Sequence, residues 1–148
     1  IGPDANSRVS LIGNYHGTSS YYETLLQGIQ DEVEGKVRVL YSQGCHINLD
    51  KVENLAEKND RIKEAVIVAK HSDVVILSLG LNEHLEGEEF DQGNPYGSGD
   101  KKDLLLPESQ RILMEEIAKL KKPVIFFGTT ISGPAALLGL KRFCPQSS

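Results

Sequence analysis

Apolar residues in this chain fall into two kinds of run that take turns. Residues 36–41 (KVRVLY), 74–79 (VVILSL) and 123–127 (PVIFF) are short, nearly continuous and rich in β-branched or aromatic residues, which predicts strands buried on both faces. Between them the apolar positions recur with a helical period. Tyr22, Leu25, Leu26 and Ile29 share one face, as do Ile62, Ala65, Val66 and Ala69, and then Ile112, Leu113, Ile117 and Leu120. Punctuation agrees with this reading. Ser19 and Ser20 offer N-caps to the first helix and Glu34-Gly35 a stop, while Asp60 can cap the second. Pro107 and Glu108 suit the first turn of the third, and Lys121 and Lys122 its C-terminal end. Strand and helix alternating in this way predict an α/β fold, a three-layer α/β/α sandwich on a mainly parallel sheet. Residues 9–13 add a short apolar segment of unassigned type. Ile1-Gly2-Pro3 reads as the tail of a strand whose beginning is absent, and the stretch after Pro134 (AALLGLKRFCPQSS) reads as cut short. The expectation is one partial domain over residues 1–148, truncated at both ends.

The run at 74–79 stops at Gly80 and opens into a loop carrying Glu83, Glu86, Glu88, Glu89 and Asp91. In open α/β sheets, ligands bind at the loops leaving the C-terminal ends of parallel strands. Crowded carboxylates raise one another's pKa, and a carboxyl held protonated near neutrality can serve as a general acid. Charge pattern alone favours a solvated acidic loop. Oxygen ligands suit calcium or magnesium, but residues 91–103 place Gly93 and Pro95 against the calcium-loop pattern, so no metal is expected. Residues 92–102 (QGNPYGSGDKK) have the composition of a surface loop.

Charge and composition narrow the partners. A net charge of −5 over 148 residues, with basic residues single or paired, argues against nucleic acid. No apolar run reaches the length of a membrane span. Cys45 and Cys144 lack metal-ligand spacing and read as two unpaired thiols. Gly2, Gly13 and Gly17 match neither phosphate-binding fingerprint, and His16, His46, His71 and His84 are scattered. No cofactor is implied. Tyr15, Tyr21 and Tyr22, near a strand end, could stack on a sugar ring or simply pack.

Seven motifs in order then carry a resemblance: IGPDAN, LIGNYHGT, ETLLQGI, VLYSQGCHI, VVILSLGLNEHLEGEEFD, DLLLPESQRILMEEIA and KPVIFF. Together they cover most of residues 1–133, and the chain resembles the C-terminal α/β domain of glycoside hydrolase family 3. The resemblance implies a retaining, exo-acting β-glycosidase in which an N-terminal barrel supplies an aspartate nucleophile. The C-terminal domain supplies a glutamate acid/base from the acidic loop. The matching position is Glu88, with Glu86 as the alternative because acidic crowding makes the alignment slippery. Tyr15, Glu86, Glu89 and Phe90 are the expected substrate-binding residues.

In such a pair, carboxyl groups about 5–5.5 Å apart attack the anomeric carbon and protonate the departing oxygen. The partners implied are a β-linked oligosaccharide or aryl glycoside and the barrel domain. The motifs lean towards a β-xylosidase over a β-glucosidase. Two departures stand out: the chain contains no barrel, and its tail lacks the family's aromatic-Pro-Gly-Gln segment. The isolated chain is therefore expected to be inactive and prone to self-association through apolar surface. The rival expectation is a non-catalytic carbohydrate-binding or interaction module on the same scaffold.

Overall fold

The computed structural model describes residues 1–12, 17–82, 85 and 105–129. Its elements in chain order are a single 3-10 turn at Val9–Leu11, helix α1 (Leu25–Glu32), helix α2 (Asp60–Lys70), strand β1 (Val75–Gly80), helix α3 (Glu108–Ala118) and strand β2 (Val124–Thr129). β1 and β2 pair in parallel, from Val75 opposite Val124 to Gly80 opposite Thr129. The crossover between them carries α3, so β1-α3-β2 is the βαβ unit that a parallel pair requires. The fold is α/β, as the alternation of runs predicts.

Burial follows the periodicities. Val75, Leu77 and Leu79 of β1, Ile62, Ala65 and Ala69 of α2, and Leu113, Met114 and Ile117 of α3 form one core with Cys45 and Leu106. Val66, Ile112 and Leu120 are partly buried against it. β1 is buried along nearly its whole length, as expected of a strand covered on both faces.

Three local expectations are corrected. Helix α1 starts later than Ser19 and Ser20 suggest: Thr24 is its N-cap, accepting from the Gln27 N–H at 3.3 Å. Ser19 instead closes a local turn by donating to the Tyr21 C=O at 2.6 Å, which leaves Tyr22 outside the helix. Asp60 is the first residue of α2 and not its cap, which is Asn59 in a left-handed conformation. Lys122 stabilises the C-terminus of a different helix from the one expected. Its ammonium donates to the Lys70 and Ser72 carbonyls at 2.8 and 2.5 Å, closing α2 rather than α3.

Residues 36–41 are the larger correction. They form no strand, and Val37 is 64% exposed. A β-propensity run becomes a strand only with a ladder partner, and among the described residues this segment has none beside it. Of the short apolar segment, Val9–Leu11 form the 3-10 turn, with Val9 and Leu11 exposed.

Ile1 lies against β1 on the side away from β2. Its amino group donates to the Ile76 C=O at 2.9 Å, and the Ser78 N–H donates to the Ile1 C=O at 2.8 Å. At Gly2 the chain passes so close to β1 that an added Cβ would lie 1.9 Å from the Ser78 carbonyl oxygen, at a φ of +134°. Only glycine fits there.

Candidate functional site

The acidic loop begins where β1 ends, and the structure shows how that end is held. Gly80 closes β1, and its N–H and C=O both turn away from β2. The Gln110 side chain takes both. Gly80 N–H donates to Oε1 at 2.8 Å, and Nε2 donates to the Gly80 C=O at 2.7 Å and to the Ile47 C=O at 2.6 Å. Gln110 is fully buried in the first turn of α3. Its amide thus stands in for a neighbouring strand at the last residue before the loop, using both donor and acceptor functions.

Beside it the Ser109 hydroxyl donates to the His46 C=O at 3.0 Å. The two consecutive residues therefore tie the start of α3 to residues 46–47 and to the end of β1. The His46 ring completes that loop, its Nδ1 accepting the N–H groups of Asn48 and Leu49 at 3.2 and 3.0 Å. Accepting there requires a neutral ring, and burial pushes the imidazole pKa below its ordinary value. Cys45 is buried in the same region, where desolvation, with Asp4 adding to it, pushes the thiol up to about 12. It is an inert core residue rather than a nucleophile.

Past Gly80 the chain stays pinned. Leu81, Asn82 and Leu85 are buried, and the Leu85 N–H donates to the Asn82 C=O at 2.9 Å. It returns through buried Leu106 and Pro107 into α3. Both ends of the intervening stretch are thereby anchored in the core, one of them directly through the Gln110–Gly80 pair.

The residues assigned chemistry from sequence, Glu88 or Glu86 as acid/base and Tyr15, Glu86, Glu89 and Phe90 towards substrate, lie outside the described residues, as do Glu83 and Asp91. Tyr21 and Tyr22 are described. The Tyr21 hydroxyl accepts from Gln27 Nε2 at 3.1 Å, and Tyr22 bonds to the backbone at residues 17 and 19. These contacts are local packing at the start of α1. Among the described residues no helix is long and apolar enough to cross a membrane.

Gln110 is the residue that periodicity reasoning passed over. A signal was present: Gln110, Leu113, Met114 and Ile117 are spaced i, i+3, i+4 and i+7, so a glutamine occupies a core position of α3. A polar side chain there must find partners.

This architecture defines an α/β domain whose parallel strand delivers an acidic loop from a clamped C-terminal end. The chain belongs to glycoside hydrolase family 3: the family model for the glycosyl hydrolase family 3 C-terminal domain matches residues 1–137. A β-xylosidase of Formosa agariphila is 34% identical over 131 residues, covering 84% of this chain and 16% of that protein. A probable β-D-xylosidase of Arabidopsis thaliana is 35% identical over 126 residues, covering 84% of this chain and 14% of that one. The chain thus spans roughly a seventh of the length of these relatives. Among solved structures, a β-glucosidase of Erythrobacter marinus superposes with a TM-score of 0.72 at 27% identity, over 97% of this chain and 20% of its own. An exo-β-xylosidase of the same family shares the fold, with a TM-score of 0.64 at 24% identity over 84% of this chain and 14% of its own.

Proposed function

We propose that this chain is the acid/base half of a retaining exo-acting β-glycosidase, acting on terminal β-linked sugars with xylose favoured over glucose. Family membership over residues 1–137 carries the reading. The clamped end of β1 supports it, because a loop that must present a carboxyl to a substrate needs a fixed origin. The relatives named as β-xylosidases support the choice of xylose.

In this reading a barrel domain of the parent enzyme supplies an aspartate that attacks the anomeric carbon. Glu88 protonates the departing glycosidic oxygen, then takes a proton from the water that releases the sugar. Its acidic neighbours Glu86 and Glu89 keep it protonated at the first step. Tyr15 and Phe90 offer apolar faces to the sugar ring. The chain alone lacks the nucleophile's domain and turns over no glycoside.

The test uses the parent enzyme. Glu88→Gln abolishes hydrolysis of an unactivated disaccharide, whose leaving group needs a proton, while sparing an activated aryl glycoside in part. Full activity of that variant on the disaccharide sinks the assignment. The same split in Glu86→Gln instead moves the role to Glu86. Tight binding of xylo-oligosaccharides by the isolated chain, with Glu88 dispensable, would favour a binding module.

A further inference from the structure

The turn at residues 46–49 is closed by a side chain rather than by the backbone. The His46 Nδ1 accepts the N–H groups of both Asn48 and Leu49, at 3.2 and 3.0 Å. Among the described residues neither of those N–H groups makes a backbone hydrogen bond, so the imidazole is the acceptor that shapes the turn. It does what the side-chain oxygen of an asparagine does in an Asx-turn. Accepting at Nδ1 places the ring proton on Nε2.

The closed turn presents two consecutive carbonyls to the start of α3. The His46 C=O accepts from the Ser109 hydroxyl at 3.0 Å, and the Ile47 C=O accepts from Gln110 Nε2 at 2.6 Å. The same Nε2 donates to the Gly80 C=O at 2.7 Å, while Oε1 accepts the Gly80 N–H at 2.8 Å. Gly80 thus takes one donor and the acceptor of that amide, and the second donor goes to Ile47. Two bonds to Gly80 alone would let the amide ride with the strand end. The third fixes it against residues 46–47, so the place of the Ile47 carbonyl bears directly on the place of Gly80. Gln110 is 0% exposed, and no solvent stands in at Gly80 for a bond that is lost.

Gly80 is the last residue of β1, and the acidic loop starts from it. Proton transfer needs its partners within hydrogen-bond reach, and a misplacement of about 1 Å costs on the order of 100-fold in rate. We propose that His46 is a positioning residue for the acid/base step, its imidazole holding the Ile47 carbonyl where Gln110 relays it to Gly80. This role rests on the reading of the chain as the acid/base half of a glycosidase. His46 acts through Gln110 and Gly80 and not on the sugar, so its effect is confined to steps in which the loop's carboxyl moves a proton.

The test is made in the parent enzyme with His46→Leu and His46→Asn. Leucine removes the acceptor, whereas asparagine supplies a side-chain oxygen that can accept the same two N–H groups. Leu49 is 53% exposed and Asn48 half-buried, so water reaches the turn and the leucine variant is expected to fold. The readout is kcat/KM for an unactivated disaccharide and for an activated aryl glycoside, of which only the first needs a proton at bond cleavage. His46→Leu is expected to lower kcat/KM about tenfold for the disaccharide and to leave the aryl glycoside within about twofold. His46→Asn is expected to keep both substrates at the parent's values. Gln110→Leu should show the same split, and His46→Leu added to it should take nothing further, because the two act along one path. Equal losses on the two substrates, or an asparagine variant as impaired as the leucine one, overturn the role. So does a double variant whose losses multiply. Glu88→Gln and Glu86→Gln in the same assay separate the two claims. A split in one of them with none in His46→Leu overturns the positioning role alone. No split in either carboxyl variant overturns the acid/base reading and the role with it.

Discussion

Replacing Gln110 by leucine tests whether its amide holds the end of β1. The two side chains are similar in size, so the change removes hydrogen bonds with little loss of packing. Three bonds go, to the Gly80 N–H, the Gly80 C=O and the Ile47 C=O. Gly80 is buried and Ile47 half-buried, so the two Gly80 groups dominate the penalty. A buried polar group left without a partner costs about 1–3 kcal/mol, giving roughly 2–6 kcal/mol for the pair. Leucine's greater hydrophobicity offsets about 1–2 kcal/mol of that. With both ranges taken at their midpoints, a net loss of about 2–3 kcal/mol is expected, a large share of the ~5–15 kcal/mol that stabilises an ordinary domain. Urea unfolding of the chain and the variant measures it through the midpoint shift at constant slope. Amide exchange should also rise at Asn82 and Leu85, just beyond the clamp, before it rises in α2. A midpoint within about 0.5 kcal/mol of the parent chain's would refute the reasoning.

Two further predictions rest on other parts of the same framework. Gly2→Ala places a Cβ 1.9 Å from the Ser78 carbonyl oxygen at a φ unsuited to an L side chain. It should cost about 2 kcal/mol or more in urea unfolding, and a neutral result would mean the crossing over β1 is looser than described. His46 has its pKa lowered from 6.5 in the folded chain, so the unfolded chain takes up the proton first as pH falls. Its contribution is intact above pH 6.5 and is lost as pH drops from there towards the lowered folded value. The parent chain should therefore lose more stability than His46→Asn between pH 7 and pH 5, and parallel curves would contradict the linkage.

The sequence was most informative where side-chain period alone decides structure. β1, α2 and α3 follow their apolar spacing to within a residue or two, because each buries that face in one core. Residues 36–41 have equally strong β-propensity and form no strand, since a strand is a property of a pair and among the described residues no ladder partner lies beside them. Thr24 outcompetes Ser19 and Ser20 as a cap because Asn6, far away in sequence, accepts the Thr24 hydroxyl at 3.0 Å. Local rules carry no trace of such a contact. The family was legible from ordered motifs, which the family model over residues 1–137 matches. Gln110 was not read as the group that fixes the origin of the acidic loop, because its role depends on backbone groups 30 and 63 positions away in the chain.

The central claim is that Glu88 is the carboxyl that gives and takes the proton, and azide tests it most directly. In the parent enzyme with Glu88→Ala, an activated aryl glycoside still forms the glycosyl-enzyme, but no base remains to activate water. Azide needs no base and can enter the space the carboxyl leaves. The account predicts that azide restores turnover and that the product is the β-glycosyl azide. Azide that rescues Glu86→Ala and leaves Glu88→Ala inactive would contradict it.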